Sequence, residues 1–122
     1  MHSEEAQTTF AQISVEEYKS RFIDGGEEHY LLDVRTEAEF KQARIPNTVN
    51  ISLQELTGRV DDVVEQADQR PVVLVCRSGQ RSMMAAQILR NMGANELILY
   101  NLNTGTLGWA QANHPLETGD PQ

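Results

Sequence analysis

VVLVCRSGQRS, residues 72–82, is an apolar run that ends in a polar, cationic segment. Its first four residues are valine or leucine, a composition typical of a strand buried on both faces of a parallel sheet. Cys76, the only cysteine of the 122-residue chain, follows this run directly. Apolar residues then recur at helical spacing from Ser82 to Met92, so the sequence predicts a strand, a tight loop and a helix in succession.

The predicted loop runs from Cys76 to Arg81, and its residue types favour an anion at its centre. Gly79 permits the dihedral angles of a tight curl in which backbone N–H groups converge, and the helix directs its unpaired N–H groups at the same point. Together with the charges of Arg77 and Arg81, these features favour the thiolate of Cys76 over the thiol. We predict that Cys76 and Arg81 are catalytic, and that the anion-binding loop comprises Arg77, Ser78, Gly79, Gln80 and Ser82.

Each of these residues also has an ordinary structural interpretation. Most free cysteines are buried and inert, but an inert cysteine fits better inside the apolar run than at its polar end. The two arginines are otherwise solvated surface residues. The position of Arg81 at the helix start favours a role in the loop, whereas for Arg77 both alternatives stay open.

The histidines bear on the type of reaction, because an acyl-transfer cysteine enzyme needs a histidine base beside the thiol. His2 lies near the N-terminus, His29 begins a strand at the end away from the loop, and His114 lies in a C-terminal loop. We interpret each as a surface residue. The expected reaction is therefore one in which the thiolate attacks without a dedicated base, such as transfer of a sulfane sulfur.

Predicted strands and helices alternate along most of the chain, which favours an α/β domain with a mostly parallel sheet and helices on both faces. Ser14 with Glu17, and Thr36 with Glu39, form potential capping boxes at two helix starts. The predicted strands are 10–13, 29–35, a short one within 44–52, 70–76 and 96–100; the predicted helices are 14–23, 37–41, 59–67, 82–92 and 107–112. We expect a domain over 10–116, between flexible segments at 1–9 and 117–122.

Composition argues against several classes of function. Ten basic against eighteen acidic residues give a net charge of −8, the opposite sign from that of most nucleic-acid binders. Apolar runs are too short to span a membrane, and MHSEEAQTTF is not a secretory signal. A single cysteine forms no internal disulfide, so we expect a cytoplasmic location. Because of the negative charge and the short apolar runs, we expect a domain that binds neither nucleic acid nor membrane.

Four motifs together resemble the rhodanese-like sulfurtransferases. CRSGQRS resembles the active-site loop of that family, and the resemblance extends over residues 11–116. The other three segments are LLDVRTEAEF at 31–40, ARIPNTVNISL at 43–53 and NLNTGTLGW at 101–109. The resemblance implies a five-stranded, mostly parallel sheet flanked by helices on both faces, and a Cys76 that cycles between thiol and persulfide. No cofactor and no metal are implied.

The chain departs from the family pattern in loops near the expected pocket rim. Ala43-Arg44 replace the usual Gly-His, Asn47-Thr48 replace Gly-Ala, and Thr104 stands where one glycine of a pair is common. These departures leave the substrate open. Arg44 either adds a positive charge to the pocket wall or is an ordinary surface arginine.

Asp33 and Arg35 lie in the last residues of the predicted strand 29–35, at the carboxyl end of the sheet, where α/β folds bind ligands. They either form part of the pocket wall or have a structural role, which we favour. In that role Arg35 pairs with Glu39, and Asp33 accepts N–H bonds from the adjacent loop. Trp109 is expected to fill the core or the pocket wall.

Three functions of different class fit these features. The first is a sulfurtransferase that moves sulfur from a small sulfur-containing anion, such as thiosulfate, to cyanide, a thiol or an acceptor protein. The second is a phosphatase or arsenate reductase, although cysteine phosphatases space cysteine and arginine as Cys-x5-Arg, and Cys76 and Arg81 are spaced Cys-x4-Arg. The third is a non-catalytic interaction domain, in which we would expect the cysteine to be lost. We favour the first.

Overall fold

Five parallel strands form the centre of the computed structural model, which describes residues 10–121. Their order across the sheet is β1-β5-β4-β2-β3, and all four neighbouring pairs are parallel. The central strand is the apolar run that ends at Cys76, and it is buried along its length. The strands are β1 (Ala11–Ile13), β2 (Tyr30–Asp33), β3 (Val49–Asn50), β4 (Val72–Val75) and β5 (Leu99–Leu102).

Helices cover both faces of this sheet, as the sequence predicts. Side chains of β4 alternate between two cores: Leu74 lies in the same core as Ala86, and Val75 in the same core as Trp109. Among residues 10–121, no helix has the length and apolar character required to cross a bilayer. The helices are α1 (Val15–Tyr18, continued by a π-helical segment, Lys19–Asp24), α2 (Glu37–Gln42), α3 (Leu53–Leu56), α4 (Val60–Ala67), α5 (Gln80–Asn91) and α6 (Gly105–Gln111).

Side-chain caps fix the starts of the first two helices. Thr36 Oγ1 accepts the N–H of Glu39 at 3.2 Å, and the Glu39 carboxylate accepts the N–H of Thr36 at 3.0 Å. This reciprocal pair confirms the predicted capping box at α2. At α1, Ser14 Oγ accepts the N–H of Glu17 at 3.0 Å, so the predicted helix start is confirmed.

Several predicted boundaries are wrong by two or three residues, and two of these affect the cysteine loop and its neighbouring strand. The strand predicted at 96–100 lies at Leu99–Leu102, because Ile98 is half exposed while the polar Asn101 is buried in the sheet. Helix α5 begins at Gln80 rather than Ser82, after Gly79 with φ of +101° at its N-cap. Gln80 and Arg81 therefore belong to the first turn of the helix and not to the loop.

Backbone contacts continue beyond residue 116, the predicted end of the domain. Arg44 and Glu117 exchange two N–H to carbonyl bonds of 2.9 Å, and the N–H of Gly119 donates to the carbonyl of Lys41 at 2.7 Å. These bonds tie the chain after 116 to the end of α2. The division into a domain at 10–116 and a flexible tail at 117–122 stays a prediction, and the predicted flexible segment 1–9, with His2, lies outside the described residues.

Candidate active site

The thiol of Cys76 lies at the carboxyl end of the central strand, where the chain curls into the loop. Its Sγ accepts the N–H of Gly79 at 3.1 Å, and the hydroxyl of Ser82 lies 3.4 Å away. Cys76 is 1% exposed. The backbone of the loop thus folds around the sulfur, as the sequence predicts.

Hydrogen bonds to the sulfur outweigh the effect of its burial. Burial raises the pKa of the Cys76 thiol, whereas the Ser82 hydroxyl and the backbone N–H groups of Ser82, Ser78 and Gly79 lower it. The resulting pKa lies below the ordinary value of the thiol. Donors directed at a sulfur stabilise its anionic form, so this site favours a thiolate nucleophile.

Two glycines allow the loop to curl so tightly. A Cβ at Gly79 would lie 2.3 Å from the carbonyl oxygen of Asn103, and its φ of +101° is strained for other residues. At Gly105, with φ of +62°, a Cβ would lie 2.4 Å from the carbonyl oxygen of Cys76. Close approach of the loop to the start of α6 therefore requires glycine at both positions.

The first turn of α6 holds the loop by its backbone. The N–H of Thr106 donates to the carbonyl of Cys76, and the N–H of Leu107 to the carbonyl of Arg77, both at 2.9 Å. Thr104, one of the departures from the family pattern, has φ of −109°, which a residue with a side chain adopts without strain. The glycine that this contact requires is Gly105, and it is present.

The guanidinium of Arg81 binds the carboxylate of Glu39 rather than pointing freely into the loop. The two N–O distances are 2.8 and 2.9 Å. These bonds from Arg81 are the largest cause of a pKa of Glu39 lowered to about 2. Our prediction that Glu39 pairs with Arg35 is therefore wrong. The charge of Arg81 still acts on Cys76, since the two groups interact electrostatically.

Arg35 pairs with Asp33 instead, and both side chains are buried. Arg35 Nη2 lies 2.7 Å from Asp33 Oδ2, and the same nitrogen donates to the carbonyl of Ala43 at 2.7 Å. Asp33 also accepts the backbone N–H of Arg35 at 2.9 Å. This buried pair joins the end of β2 to the end of α2, which is a structural role of the kind we favoured.

Arg44 is not an ordinary surface arginine, and the partners of its side chain lie outside the cysteine loop. It is 5% exposed, it donates to the carbonyls of Phe40 at 3.1 Å and Gly119 at 2.8 Å, and its guanidinium lies over the Phe40 ring. Arg44 lines a cavity of about 480 Å³ together with Asn47 and Glu117, and no residue of the cysteine loop lines that cavity. The surface interpretation is therefore wrong, and a role in the pocket wall stays a prediction.

A smaller cavity of about 190 Å³ lies beside the loop. Arg77, which is exposed, contributes to its wall together with Arg35 and Thr106. The Thr106 hydroxyl is buried and has no hydrogen-bond partner among the described residues. This cavity, unlike the one at Arg44, brings positive charge and a free hydroxyl next to the cysteine loop.

The described histidines have partners other than the thiol. His29 Nε2 lies 2.8 Å from the Tyr18 hydroxyl, and the His114 ring contacts the ring of Trp109 with centroids 4.5 Å apart. Both are half-buried rather than fully exposed. Trp109 is buried, as expected, and its Nε1 donates to the carbonyl of Pro115 at 2.7 Å.

The sequence did not reveal one residue of the site, Asn101. It lies on β5, buried, and its amide contacts both Ser82 and the carbonyl of Gly79. The only signal in the sequence is a polar residue next to an apolar run, and the misplaced strand boundary concealed it.

The comparison with known families agrees with this geometry. Residues 14–112 match the family model of the rhodanese-like domain. The chain belongs to this family. The resemblance that the four sequence motifs indicated is thereby confirmed, and so is the predicted α/β fold.

Relatives of this rhodanese-like domain include named sulfur-handling proteins. A putative sulfur carrier protein of Bacillus subtilis, YrkF, is 33% identical over 108 residues, which cover 88% of this chain and 55% of that protein. A sulfurtransferase of Allochromatium vinosum is 31% identical over 105 residues, covering 86% of this chain and 92% of that protein. The chain thus spans about half of the first relative and nearly all of the second.

A solved structure shares the fold over almost the whole chain. The thiosulfate sulfurtransferase from Pseudomonas aeruginosa superposes with a TM-score of 0.80 at 28% sequence identity. The match covers 97% of this chain and 22% of that one. The rhodanese-like domain described here therefore corresponds to one part of that longer protein.

Proposed function

We propose that this domain transfers a sulfane sulfur through a persulfide on Cys76. The donor is a small sulfur-containing anion such as thiosulfate, and the acceptor is cyanide, a thiol or a protein. One observation carries the proposal: the Cys76 sulfur lies at the centre of a loop whose N–H groups lower the pKa of the thiol. A thiolate held in this way is a nucleophile that needs no histidine base.

In the first half of the proposed reaction, the Cys76 thiolate attacks the outer sulfur of thiosulfate. A bond forms between Sγ and that sulfur, the sulfur–sulfur bond of thiosulfate breaks, and sulfite leaves with the electron pair. The product is a persulfide anion. Since the charge moves from Sγ to the terminal sulfur, inward N–H groups of the loop continue to stabilise the anion after the transfer.

In the second half, the acceptor attacks the terminal sulfur. With cyanide, a carbon–sulfur bond forms, the persulfide bond breaks, and thiocyanate leaves while the thiolate of Cys76 is restored. No proton and no external electron is required in either half. This balance is consistent with a site in which His29 and His114 contact Tyr18 and Trp109 rather than the thiol.

Surface features beside the loop support an anionic donor. Arg77 is exposed and lines the cavity of about 190 Å³ together with Arg35 and Thr106. Positive charge at such a position attracts anions to the thiol, although the whole chain carries a net charge of −8. The name of the Bacillus subtilis relative, a putative sulfur carrier, favours an acceptor protein over cyanide as the physiological acceptor.

The test is the intact mass of the protein after incubation with thiosulfate and removal of the excess. We expect the mass of one added sulfur atom, its loss on addition of cyanide, and the appearance of thiocyanate. The control is Cys76→Ser, which removes the only cysteine of the chain. Transfer of sulfur to cyanide by this variant above the rate in buffer alone would contradict the proposal.

A further inference from the structure

The hydroxyl of Ser82 lies between two acceptors but has only one proton to donate. On one side is the sulfur of Cys76 at 3.4 Å, and on the other is the amide oxygen of Asn101 within hydrogen-bonding distance. All three residues are buried, with Ser82 fully so and Cys76 and Asn101 1% exposed. Water is therefore kept from supplying a second donor, and the two acceptors compete for the Ser82 proton.

Neighbouring groups fix the orientation of the Asn101 amide. Its Nδ2 lies 3.2 Å from the carbonyl oxygen of Gly79 and 2.9 Å from Gln12 Oε1. A backbone carbonyl only accepts hydrogen bonds, so the amide nitrogen faces Gly79 and the amide oxygen faces Ser82. Because an amide oxygen also only accepts, the Ser82 hydroxyl must donate to Asn101 whenever this contact is made.

This arrangement links the direction of the Ser82 proton to the state of the cysteine. While the proton is on the Asn101 side, Ser82 offers only lone pairs to Cys76, and lone pairs suit a neutral S–H group. A thiolate repels those lone pairs and is stabilised by the hydroxyl proton in addition to the backbone N–H groups, so the hydroxyl turns its proton to Sγ and gives up Asn101. We propose that Asn101 is a positioning residue of this site: it holds the Ser82 proton while Cys76 is a thiol and releases it to Sγ when the thiolate forms.

The same argument extends to the persulfide, and this extension rests on the proposed function. In the persulfide the charge lies on the terminal sulfur, one bond beyond Sγ. Sγ then no longer requires the Ser82 proton, which returns to Asn101. Ser82 would thus donate to Cys76 only in the thiolate state, the state that attacks the donor.

Charged groups near the loop are the same whether Asn101 is present or not. They are Arg77 in the loop, Arg81 on α5 with its partner Glu39 on α2, and the buried pair Asp33 and Arg35 at the end of β2. No charge is carried by the residues on β5 and at the start of α6 that contact the loop, which are Asn101, Gly105, Thr106 and Leu107. A substitution of Asn101 therefore changes no charge around Cys76.

A double-mutant cycle separates the effect that passes through Ser82 from any effect on the loop. The quantity measured is the pH midpoint of Cys76 alkylation by iodoacetamide, in wild type, Asn101→Leu, Ser82→Ala and the double variant. Leucine has the same branched arrangement of side-chain heavy atoms as asparagine, although it is larger, and it accepts no hydrogen bond. If Asn101→Leu loosens the loop because its bond to Gly79 is lost, the midpoint shifts equally with and without Ser82. If it releases the Ser82 proton, the additional shift appears only when Ser82 is present.

We expect Asn101→Leu to shift the midpoint further downward when Ser82 is present than in the Ser82→Ala background. The expected difference between the two shifts is about one pH unit. Below the midpoint, this difference corresponds to about tenfold faster alkylation at fixed pH. Equal shifts in the two backgrounds would overturn the proposal, because Asn101 would then act only through the loop. The measurement needs no sulfur donor, so its outcome is independent of whether a persulfide forms.

A second measurement leaves Asn101 unchanged, in case its substitution prevents folding. The side-chain amide of Asn101 is followed by NMR across the Cys76 titration, in wild type and in Ser82→Ala. We expect its resonances to shift at the Cys76 midpoint in wild type and to shift much less in Ser82→Ala. Identical titration curves in the two proteins would contradict a coupling through Ser82.

Discussion

Arg81, in the first turn of the helix after the cysteine loop, binds both carboxylate oxygens of Glu39 on α2, at 2.8 and 2.9 Å. Glu39 also caps its own helix through Thr36. One carboxylate therefore fixes the start of α2 and anchors the start of α5. The same pairing partly neutralises the charge of Arg81, so the effect of that charge on Cys76 depends on Glu39.

We predict that Arg81→Ala raises the pH midpoint of Cys76 alkylation, by on the order of one pH unit, and that Arg77→Ala raises it less. Arg81 interacts electrostatically with Cys76, whereas Arg77 is exposed and its field is weakened by solvent. In Arg81→Ala the unpaired Glu39 carboxylate adds to the effect. The matched variant Glu39→Gln frees the charge of Arg81 and should lower the midpoint. A larger shift for Arg77→Ala than for Arg81→Ala would contradict this order.

We predict that the ion pair makes stability sensitive to acid. The pKa of Glu39 is lowered from 4.5 to about 2, so the folded state binds the proton more weakly than the unfolded state. The resulting stability is present above pH 4.5 and is lost as the pH falls from 4.5 toward 2. Urea unfolding at pH 6 and pH 3 should show a larger loss for wild type than for Glu39→Gln, which keeps a capping side chain. Equal losses would show that the pair contributes nothing in this range.

The partners of His29 predict a second pH dependence, at higher pH. The carbonyl of Glu27 accepts from Nδ1 at 3.1 Å, so Nε2 carries no proton and accepts from the Tyr18 hydroxyl at 2.8 Å. Burial is the main cause that lowers the pKa of His29 below 6.5. The unfolded state therefore binds the proton more tightly, and stability is full above pH 6.5 and decreases as the pH falls below that value.

The measurement is the Tm between pH 8 and pH 5.5, for wild type and His29→Gln. Wild type should lose more of its Tm on acidification than the variant, although His29→Gln is less stable at pH 8. His114 is the matched control, since it is the other described histidine and its ring packs on Trp109. If His114→Gln removes the pH dependence and His29→Gln does not, the assignment to His29 is wrong.

Features of the fold and of the site could be predicted from the sequence where the contacting residues are close together along the chain. Strand β4, the capping box at Thr36 and the loop around Cys76 follow from neighbouring residues, and they were predicted. The pairs of Arg81 with Glu39 and of Asn101 with Ser82 join residues 42 and 19 positions apart. Several carboxylates and amides of this acidic chain were equally plausible partners, and only the folded backbone selects among them.

Burial of a polar residue was the other feature that the sequence concealed. ELILY is the more apolar segment, yet the strand lies over Leu99–Leu102, because Asn101 is buried with hydrogen-bond partners while Ile98 is 52% exposed. Hydrophobic patterning assumes that polar residues face water. That assumption fails where a polar side chain positions a functional loop.

We predict that Gly105→Ala lowers both stability and sulfur transfer. The new Cβ would lie 2.4 Å from the carbonyl oxygen of Cys76 and 2.5 Å from that of Arg77, so α6 and the loop must separate. A non-glycine residue at positive φ costs about 1–2 kcal/mol on its own. The control is Gly26→Ala, whose φ of +71° is similar but whose Cβ would meet nothing within 4 Å. The free energy of unfolding in urea and the rate of thiosulfate turnover should both decrease more for Gly105→Ala than for Gly26→Ala. Equal decreases in the two variants would contradict the close contact between α6 and the loop.

The length of the loop is the last feature with a direct consequence for substrate class. Cys76 to Arg81 is one residue shorter than the Cys-x5-Arg spacing of cysteine phosphatases. In the structure the N–H of Gly79 reaches Sγ at 3.1 Å. We expect so short a loop to accommodate one sulfur and to crowd the three outer oxygens of a phosphoryl group. We predict that wild type turns over thiosulfate and shows no useful activity on aryl phosphates.

Insertion of one glycine after Gly79 tests this argument. The inserted residue moves the start of α5 away from the sulfur, so the N–H groups of the loop no longer converge on it, and sulfur transfer should fall by at least tenfold, the equivalent of about 1.4 kcal/mol. The matched control is a glycine inserted after Gly26, far along the chain from the loop, which should leave transfer unchanged. Wild type decides between the two classes of substrate. If it hydrolyses aryl phosphates faster than it transfers sulfur from any sulfane donor, the argument from loop length fails and the phosphatase alternative replaces the proposed function.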